Sequence, residues 1–236
     1  MNLKTITQKL LQMLQPLHFG PPITHVYNPL EYAGTSYNIY LERYAVPEKE
    51  ILLVGMNPGP WGMIQTGVPF GDVNMVKNWM GIETAVGQPE NPHLKRPVLG
   101  FSCPKSEVSG RRLWNWAAET YESAESFFER FLVINYCPMA FFGKDGRNFT
   151  PNLLRAADRK PLLSVCDSAL AYTIEYLKPH YVLGVGKFAA QRIEQLPIDR
   201  SIVIGSITHP SPANPKANRG WSTIITRELQ ELNIAL

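Results

Sequence analysis

Asn57, Asn135 and His209 each come shortly after a short run of apolar residues. Amide and imidazole groups can position a water molecule and donate hydrogen bonds to an anion as it forms, which lowers a barrier by about 2.7 to 4 kcal/mol per donor. The motifs around them contain no acidic nucleophile, no Ser or Cys paired with a base and no metal ligands. Each residue alone has a simpler interpretation, since Asn readily caps turns and a His before Pro can be a loop residue.

The apolar runs before these residues predict the strands of a parallel sheet. A short unbroken apolar run between turn residues is typical of a strand that is covered on both faces. Such runs lie at 51–54, 131–134, 181–183 and 202–204. The carboxyl ends of parallel strands meet at one rim, where ligands bind in open α/β sheets. We therefore expect Asn57, Asn135 and His209 to share one site.

Helical periodicity predicts helices around these strands. They lie at 3–14, 29–33 with 37–44, 106–116, 162–177, 187–196 and 222–232. Pro161 stands at the expected start of the helix 162–177, where proline is tolerated. Residues 72–106 show no sustained period and predict a long loop, a type of segment that often carries function. The alternation of strands and helices predicts one compact α/β domain over residues 1–236.

Two glycine-containing loops follow predicted strands. In residues 55–71, glycines allow backbone conformations closed to other residues and prolines fix φ, so we expect a stiff turn around Asn57. The later motif Gly184-x-Gly186-Lys187 lacks the glycine spacing and the following Ser or Thr of a P-loop. We interpret this second motif as a tight turn from strand to helix and not as a phosphate site.

The net charge of +3 is unevenly distributed, and two stretches contain no Asp or Glu. They are residues 91–106, with Lys95, Arg96 and Lys105, and residues 200–227, with Arg200, Lys216, Arg219 and Arg227. Either stretch could face an anionic partner. Cations scattered over an ordinary solvated surface explain either stretch alone equally well.

The 3 cysteines lie far apart and form no C-x-x-C pair, so the sequence indicates neither a disulfide framework nor a zinc site. The N-terminus lacks the order of a signal peptide, and no stretch approaches the roughly 20 apolar residues needed to span a bilayer. We expect a protein of a reducing compartment, in the cytosol or in the nucleus if the host has one, with no membrane partner.

Five segments of the chain form an ordered set of motifs. They are Gly55-Met56-Asn57-Pro58-Gly59-Pro60-Trp61-Gly62-Met63, Gln65-Thr66-Gly67-Val68-Pro69-Phe70-Gly71, Ser106-Glu107-Val108-Ser109-Gly110, Asn135-Tyr136-Cys137-Pro138 and His209-Pro210-Ser211-Pro212. Together they resemble the single-strand-selective monofunctional uracil-DNA glycosylases. The resemblance runs in order from about Asn28 to Trp221, and a match as long as residues 55–71 seldom arises by chance.

The resemblance implies a three-layer αβα sandwich of the uracil-DNA glycosylase superfamily, with a central, mostly parallel four-stranded sheet. It implies a monofunctional enzyme that flips uracil out of DNA, hydrolyses its N-glycosidic bond and leaves an abasic site. Some C5-modified uracils are implied as further substrates. The implied partner is uracil-containing DNA, single- or double-stranded. We expect a monomer that uses no metal or other cofactor.

The resemblance also assigns roles to individual residues. Asn57 matches the Asn that positions the attacking water, and His209 matches the His that hydrogen-bonds uracil O2 as negative charge builds there. Phe70 matches the aromatic residue that stacks on the extruded base, and Asn135 matches the amide that reads N3 and O4. Met56 and Gly59 match the part of the family's pocket that admits C5-modified uracils.

Residues 210–221 resemble the loop with which this family penetrates DNA. The implied DNA-contacting residues are Pro210, Ser211, Pro212, Ala213, Lys216 and Arg219. The family often has Arg where this chain has Ala213, so the side chain that would fill the vacated base position is shorter here. We expect Lys216 and Arg219 to compensate by contacts to phosphates.

Two other functions fit the same motifs. A related glycosylase could prefer xanthine or hypoxanthine, because the pocket around Met56 and Gly59 could read a different base edge. A DNA-binding module could keep the fold without the activity, although the intact Asn57, Asn135 and His209 argue against this. Assays with uracil and purine substrates would separate the three functions.

Overall fold

The computed structural model describes residues 2–236, which fold into seven strands and nine helices. The strands are β1 (Ile23–Tyr27), β2 (Ile51–Gly55), β3 (Phe131–Asn135), β4 (Ala140–Gly143), β5 (Asn148–Phe149), β6 (Tyr181–Val185) and β7 (Val203–Ile207). The helices are α1 (Leu3–Leu14), α2 (Pro29–Tyr32), α3 (Gly34–Tyr44), α4 (Met63–Thr66), α5 (Val108–Thr120), α6 (Ala124–Arg130), α7 (Ala156–Leu177), α8 (Lys187–Glu194) and α9 (Trp221–Glu231).

Four parallel strands form the central sheet in the order β3-β2-β6-β7. The four strands predicted from apolar runs are thereby confirmed, although β7 covers 203–207 and not 202–204. Every residue of β2 is buried, as expected for a parallel strand with helices on both faces. Gly55 pairs with Asn135 at the carboxyl ends of β2 and β3, so the register itself brings the ends of the two predicted motifs together.

The strand order explains the three layers of the fold. The chain passes from β2 through α5 and α6 to β3 on one side, and then returns through α7 to β6 and through α8 to β7 on the other. Because such crossovers are right-handed, opposite directions of travel place α5 and α6 on one face and α7 and α8 on the other. The direction reverses between β2 and β6, and ligands of open α/β sheets bind beyond such a switch point.

A second sheet was not predicted from the sequence. It contains three antiparallel strands in the order β1-β4-β5. These strands are short, and β5 has only 2 residues, so none carries a recognisable period. Their pairing depends on contacts between distant parts of the chain, such as Tyr27 opposite Ala140.

The predicted start of the helix 162–177 is wrong, and the helix predicted at 106–116 covers 108–120. Helix α7 begins at Ala156, and Pro161 lies inside it and not at its start. The extra turn is anchored by tertiary contacts of Asp158, whose carboxylate accepts hydrogen bonds from the Arg155 guanidinium at 2.9 Å and from the Gly20 N–H at 3.1 Å. The long segment 72–106 does contain two short turns, a π-helical one at Met75–Trp79 and a 3₁₀ turn at Gly100–Ser102.

The turn from β6 into α8 has the form expected for Gly184-x-Gly186-Lys187. Gly186 has φ +91°, a conformation that other residues rarely adopt, and α8 begins at the next residue. A Cβ on Gly186 would lie 3.2 Å from the Cβ of His209, so this turn packs directly against the second residue after β7. Among residues 2–236, no helix combines the length and apolar character needed to cross a bilayer.

Helix α5 approaches the Phe70 backbone so closely that a Cβ on Gly110 would overlap the Phe70 carbonyl oxygen. Ala normally stabilises a helix relative to Gly by about 1 kcal/mol. We expect Gly110→Ala to do the opposite and to lower the free energy of unfolding by about 1–3 kcal/mol, because overpacking forces the backbone apart. Urea denaturation measures this difference.

Gly34→Ala is the matched control, because a Cβ on Gly34 has no neighbour within 4 Å at the start of α3. We expect this variant to be as stable as the parent or more stable by up to about 1 kcal/mol. Equal stabilities of the two variants would contradict the close contact between α5 and Phe70.

Candidate active site

A cavity of about 60 Å³ lies at the carboxyl rim of the central sheet. It is lined by Asn57, Gly59, Met63, Phe70, Glu107, Ser109, Asn135 and His209. The structure therefore brings together five of the residues expected at the site, from loops after three different strands. Larger cavities, among them two of about 700 and 820 Å³, lie elsewhere and contain none of the expected site residues.

The side chain of Asn57 is held in one orientation by the loop after β3. Its Nδ2 donates a hydrogen bond to the carbonyl oxygen of Met139 at 3.3 Å. The amide nitrogen is thus engaged, while Oδ1 has no partner among residues 2–236 and is free to accept from a water molecule. A neutral amide in this position can orient water, but it cannot take up a proton.

Asn135 presents a buried acceptor without a partner. Its Oδ1 is fully shielded from solvent and accepts no hydrogen bond within residues 2–236, whereas its Nδ2 lies 3.1 Å from the sulfur of Met63, a weak acceptor. A buried polar atom left unpaired costs about 1–3 kcal/mol, so this oxygen is a prepared site for a donor that enters the cavity.

Phe70 is held in a strained conformation beside the cavity. Its φ of +53° is unusual for any residue other than glycine. The Nε1–H of Trp114 donates to its carbonyl oxygen at 3.0 Å and fixes this turn. The ring lies over Gly55, where a Cβ would come within 2.5 Å of the ring edge, and its centroid is 6.0 Å from that of His209.

The hydrogen bonding of His209 determines which ring nitrogen carries the proton. Its Nδ1 accepts the backbone N–H of Ser211 at 3.0 Å, so the proton of the neutral ring is on Nε2. Burial lowers the pKa of His209 to about 4, and the ring is therefore neutral near pH 7. The preceding Thr208 is fixed to α9, because its N–H and hydroxyl both donate to the Glu228 carboxylate, at 2.7 and 2.6 Å.

Glu107 is a cavity residue for which no role was predicted from the sequence. Its carboxylate accepts the backbone N–H of Trp61 at 3.2 Å and fills the space over Gly59 and Gly62, where a Cβ would collide with it. Burial raises the pKa of Glu107. Its place before α5 was interpreted as a helix start, and only the glycines at 59 and 62 signal that a side chain must pack there.

Met56 does not lie among the residues that line the cavity. Its carbonyl oxygen accepts the N–H of Cys137 at 2.9 Å, which joins the chain after β2 to the chain after β3. The methionine on the cavity wall is Met63, the first residue of α4. A loop, residues 57–62, separates the two, and sequence spacing alone does not distinguish which one faces the pocket.

The loop 210–219 is rigid at its base and exposed at its tip. Arg112 donates to the carbonyl oxygen of Pro210 and to Oδ1 of Asn218, both at 2.9 Å, and so ties this loop to α5. No motif in the sequence signals this anchor. Pro212, Ala213, Lys216 and Arg219 are exposed, whereas Pro210 is buried and Ser211 is half-buried.

Among residues 2–236, no group of three or more His, Cys, Asp or Glu side chains is arranged to hold a metal ion. The polar atoms of the cavity are instead amides, one imidazole, one hydroxyl and one carboxylate. Such groups can hold a planar ring by its edges and donate a hydrogen bond to developing negative charge.

Comparison with known proteins gives the same family as the motifs. The family model described as the uracil DNA glycosylase superfamily matches residues 42–230. The chain is 44% identical over 223 residues to the single-strand selective monofunctional uracil-DNA glycosylase of Rattus norvegicus, covering 94% of this chain and 80% of the relative. The corresponding proteins of Mus musculus and Bos taurus are 43% and 42% identical, with 94% of this chain and 80% and 82% of theirs covered.

The fold is also that of a solved structure. The crystal structure of wild-type Pedobacter heparinus SMUG2 superposes with a TM-score of 0.66 at 16% identity, over 97% of each chain. This likeness supports the α/β fold with a four-stranded parallel sheet between helices. The long match to the family model and the high identity to the relatives go further: this chain belongs to the uracil-DNA glycosylase superfamily, among the single-strand-selective monofunctional uracil-DNA glycosylases.

Proposed function

We propose that this protein is a monofunctional uracil-DNA glycosylase of base-excision repair, which hydrolyses the N-glycosidic bond of deoxyuridine and leaves an abasic site. The observation that carries the proposal is the buried, unpartnered Oδ1 of Asn135 at the cavity. Uracil offers a donor at N3 and an acceptor at O4, which match the Oδ1 and Nδ2 of an Asn side chain. The names of the curated relatives describe the same activity.

The cavity suits a flipped pyrimidine. An enzyme that acts on a base within DNA extrudes it, at a cost of a few kcal/mol, and holds it by its pairing edge and by stacking. Phe70 supplies the stacking surface, and Gly59 and Met63 line the wall beside it. The cavity is small, about 60 Å³, and the curated relatives are named as uracil-DNA glycosylases, so we prefer uracil to a deaminated purine as the substrate.

Asn57 and His209 divide the chemistry between them. Asn57 Oδ1 holds a water whose oxygen forms a bond to C1′ as the bond from C1′ to N1 breaks and its electron pair passes to the base. His209 Nε2–H donates to uracil O2, where the negative charge accumulates. The water proton passes to solvent because the amide of Asn57 is not a base, so stabilisation of the leaving group carries much of the rate.

The loop 210–219 is proposed to contact DNA beside the flipped nucleotide. Its prolines and its ties to Arg112 make it rigid, which suits insertion into a groove or support of a bent strand. The short Ala213 at its exposed tip cannot fill the space of a lost base. Lys216 and Arg219 are exposed on the same loop and are placed to contact phosphates.

We expect Asn57→Ala and His209→Ala each to lower the single-turnover rate of uracil excision by about a hundredfold or more, because each removes a group that acts in the transition state. Oligonucleotides with one uracil, single-stranded or opposite G or A, are incubated with excess enzyme and EDTA. Strand breaks are then revealed with alkali, which cleaves abasic sites.

Asn78→Ala and His180→Ala are the matched controls, because both side chains are exposed and lie away from the cavity. Near-parental rates for Asn57→Ala and His209→Ala would refute their roles. Absence of excision by the parent enzyme on every uracil substrate would refute the proposed function, and the same assay with xanthine and hypoxanthine would then test the purine alternative.

Asn135→Asp tests how the base is read. A carboxylate lacks the donor for uracil O4, so we expect uracil excision to slow by about tenfold or more. The same carboxylate can accept from the exocyclic amine of cytosine, so the ratio of uracil to cytosine excision should fall. Single-turnover rates on matched strands measure this ratio, and a ratio equal to that of the parent would contradict base reading by Asn135.

The protonation of His209 is a further test of the mechanism. We expect NMR titration of its imidazole, assigned with His209→Gln, to give a pKa of about 4. The unfolded chain, with a pKa near 6.5, then binds more protons than the folded chain between these values, so this contribution to stability is present above about pH 6.5 and is lost as the pH falls toward 4. A measured pKa of about 6.5 would contradict a neutral, buried donor.

A further inference from the structure

A cationic surface with an aromatic centre lies beside the cavity. The ammonium nitrogen of Lys105 sits 3.9 Å from the ring centroid of Trp61, and the guanidinium carbon of Arg96 lies 5.7 Å from the same centroid. Contacts of this kind hold a cation over an aromatic face by electrostatic attraction. We call Trp61, Arg96 and Lys105 the Trp61 ledge.

The cations of the ledge are held by contacts with aromatic rings but are not neutralised. Within residues 2–236, neither Arg96 nor Lys105 forms an ion pair. Arg96 is held further by a 2.9 Å hydrogen bond from its Nε to the carbonyl oxygen of Gly146 and by the ring of Phe142, 5.7 Å away. Its remaining N–H groups are donors suited to an anion with several oxygens.

The ledge is joined to the wall of the cavity. Two residues that line the cavity are next to Trp61. Gly59 lies two residues before it in the chain, and the Glu107 carboxylate accepts its backbone N–H. Gln65 fixes the segment that carries Arg96, because its Nε2 donates to the carbonyl oxygens of Pro60 and Pro97, at 3.1 and 3.0 Å. This packing keeps the two cations at the edge of the site.

Within residues 2–236, no acid forms an ion pair with the ledge, including the exposed Asp145 beside the Gly146 that Arg96 contacts. Asp72 is buried and accepts the hydroxyl of Ser106 at 2.6 Å and the N–H of Glu107 at 3.1 Å. The Glu107 carboxylate faces the cavity and Trp61 N–H. The stretch 91–106 itself contains no Asp or Glu, so its exposed groups present positive charge alone.

We propose that the Trp61 ledge binds backbone phosphates of the uracil-bearing strand next to the flipped nucleotide, on the Gly59 side of the cavity. The inference rests on the proposed function, because the position of the strand is deduced from a flipped nucleotide that occupies the cavity. Trp61 acts as a positioning residue that holds both cations toward the strand. The loop 210–219 flanks the cavity on the His209 side, so the protein contacts the strand at two places.

The test measures by fluorescence anisotropy how binding depends on salt concentration. The ligand is a single-stranded oligonucleotide that contains one non-cleavable 2′-fluoro-2′-deoxyuridine. Each phosphate contact of a single strand contributes about 0.7 to the slope of log K against log salt. We expect Arg96→Gln and Lys105→Gln each to reduce the slope by about 0.7 and to raise Kd severalfold at low salt. Trp61→Leu should raise Kd, whereas Trp61→Phe, which keeps an aromatic face, should largely restore it.

Lys178→Gln is the matched control, because Lys178 is exposed just before β6, at the amino end of the sheet and away from the cavity. It removes the same charge, and its slope should equal that of the parent. Slopes and Kd values for the ledge variants equal to those of Lys178→Gln would overturn the proposal. Excision of uracil by the parent, measured on a cleavable strand, tests the proposed function separately, so the two can fail independently.

Discussion

The strained turn at Phe70 is the constraint on which the site depends. A positive φ at a bulky residue costs about 1–3 kcal/mol and persists only where surrounding contacts compensate for it. Here the indole of Trp114 donates to the Phe70 carbonyl oxygen, and α5 approaches that oxygen so closely that only glycine fits at position 110. The central strand β2 likewise ends at Gly55, directly beneath the ring. The aromatic surface is thus set by packing before any substrate binds.

The electrostatics of the cavity favour a neutral base that becomes an anion. Burial keeps His209 neutral with its proton on Nε2, and burial also raises the pKa of Glu107, the one acid on the wall. Asn57 and Asn135 add oriented dipoles without net charge. Fixed donors of this kind need no reorganisation as charge develops, which is why they are effective in a site that excludes water.

Apolar runs predicted the central sheet, and each of the four runs contributes to a strand, with β2, β3 and β6 mostly buried and β7 more exposed. The same reasoning failed where the structure depends on distant partners. The antiparallel sheet β1-β4-β5 pairs short segments far apart in the chain, and α7 extends past Pro161 because Asp158 is anchored by Arg155 and Gly20. Such contacts leave no local period.

The sequence by itself determined the fold class, the rim at which Asn57, Asn135 and His209 meet, and the family, since strand ends and long motifs are local features of the chain. Only the tertiary structure decided that Asn135 Oδ1 is left without a partner, that Met63 and Glu107 line the cavity while Met56 does not, and that Arg112 anchors the loop 210–219. It also placed Arg96 and Lys105, far from Trp61 in the chain, around one indole. The reason is that burial, hydrogen-bond partners and side-chain direction depend on which distant segments pack together, and residue types and spacing do not record them.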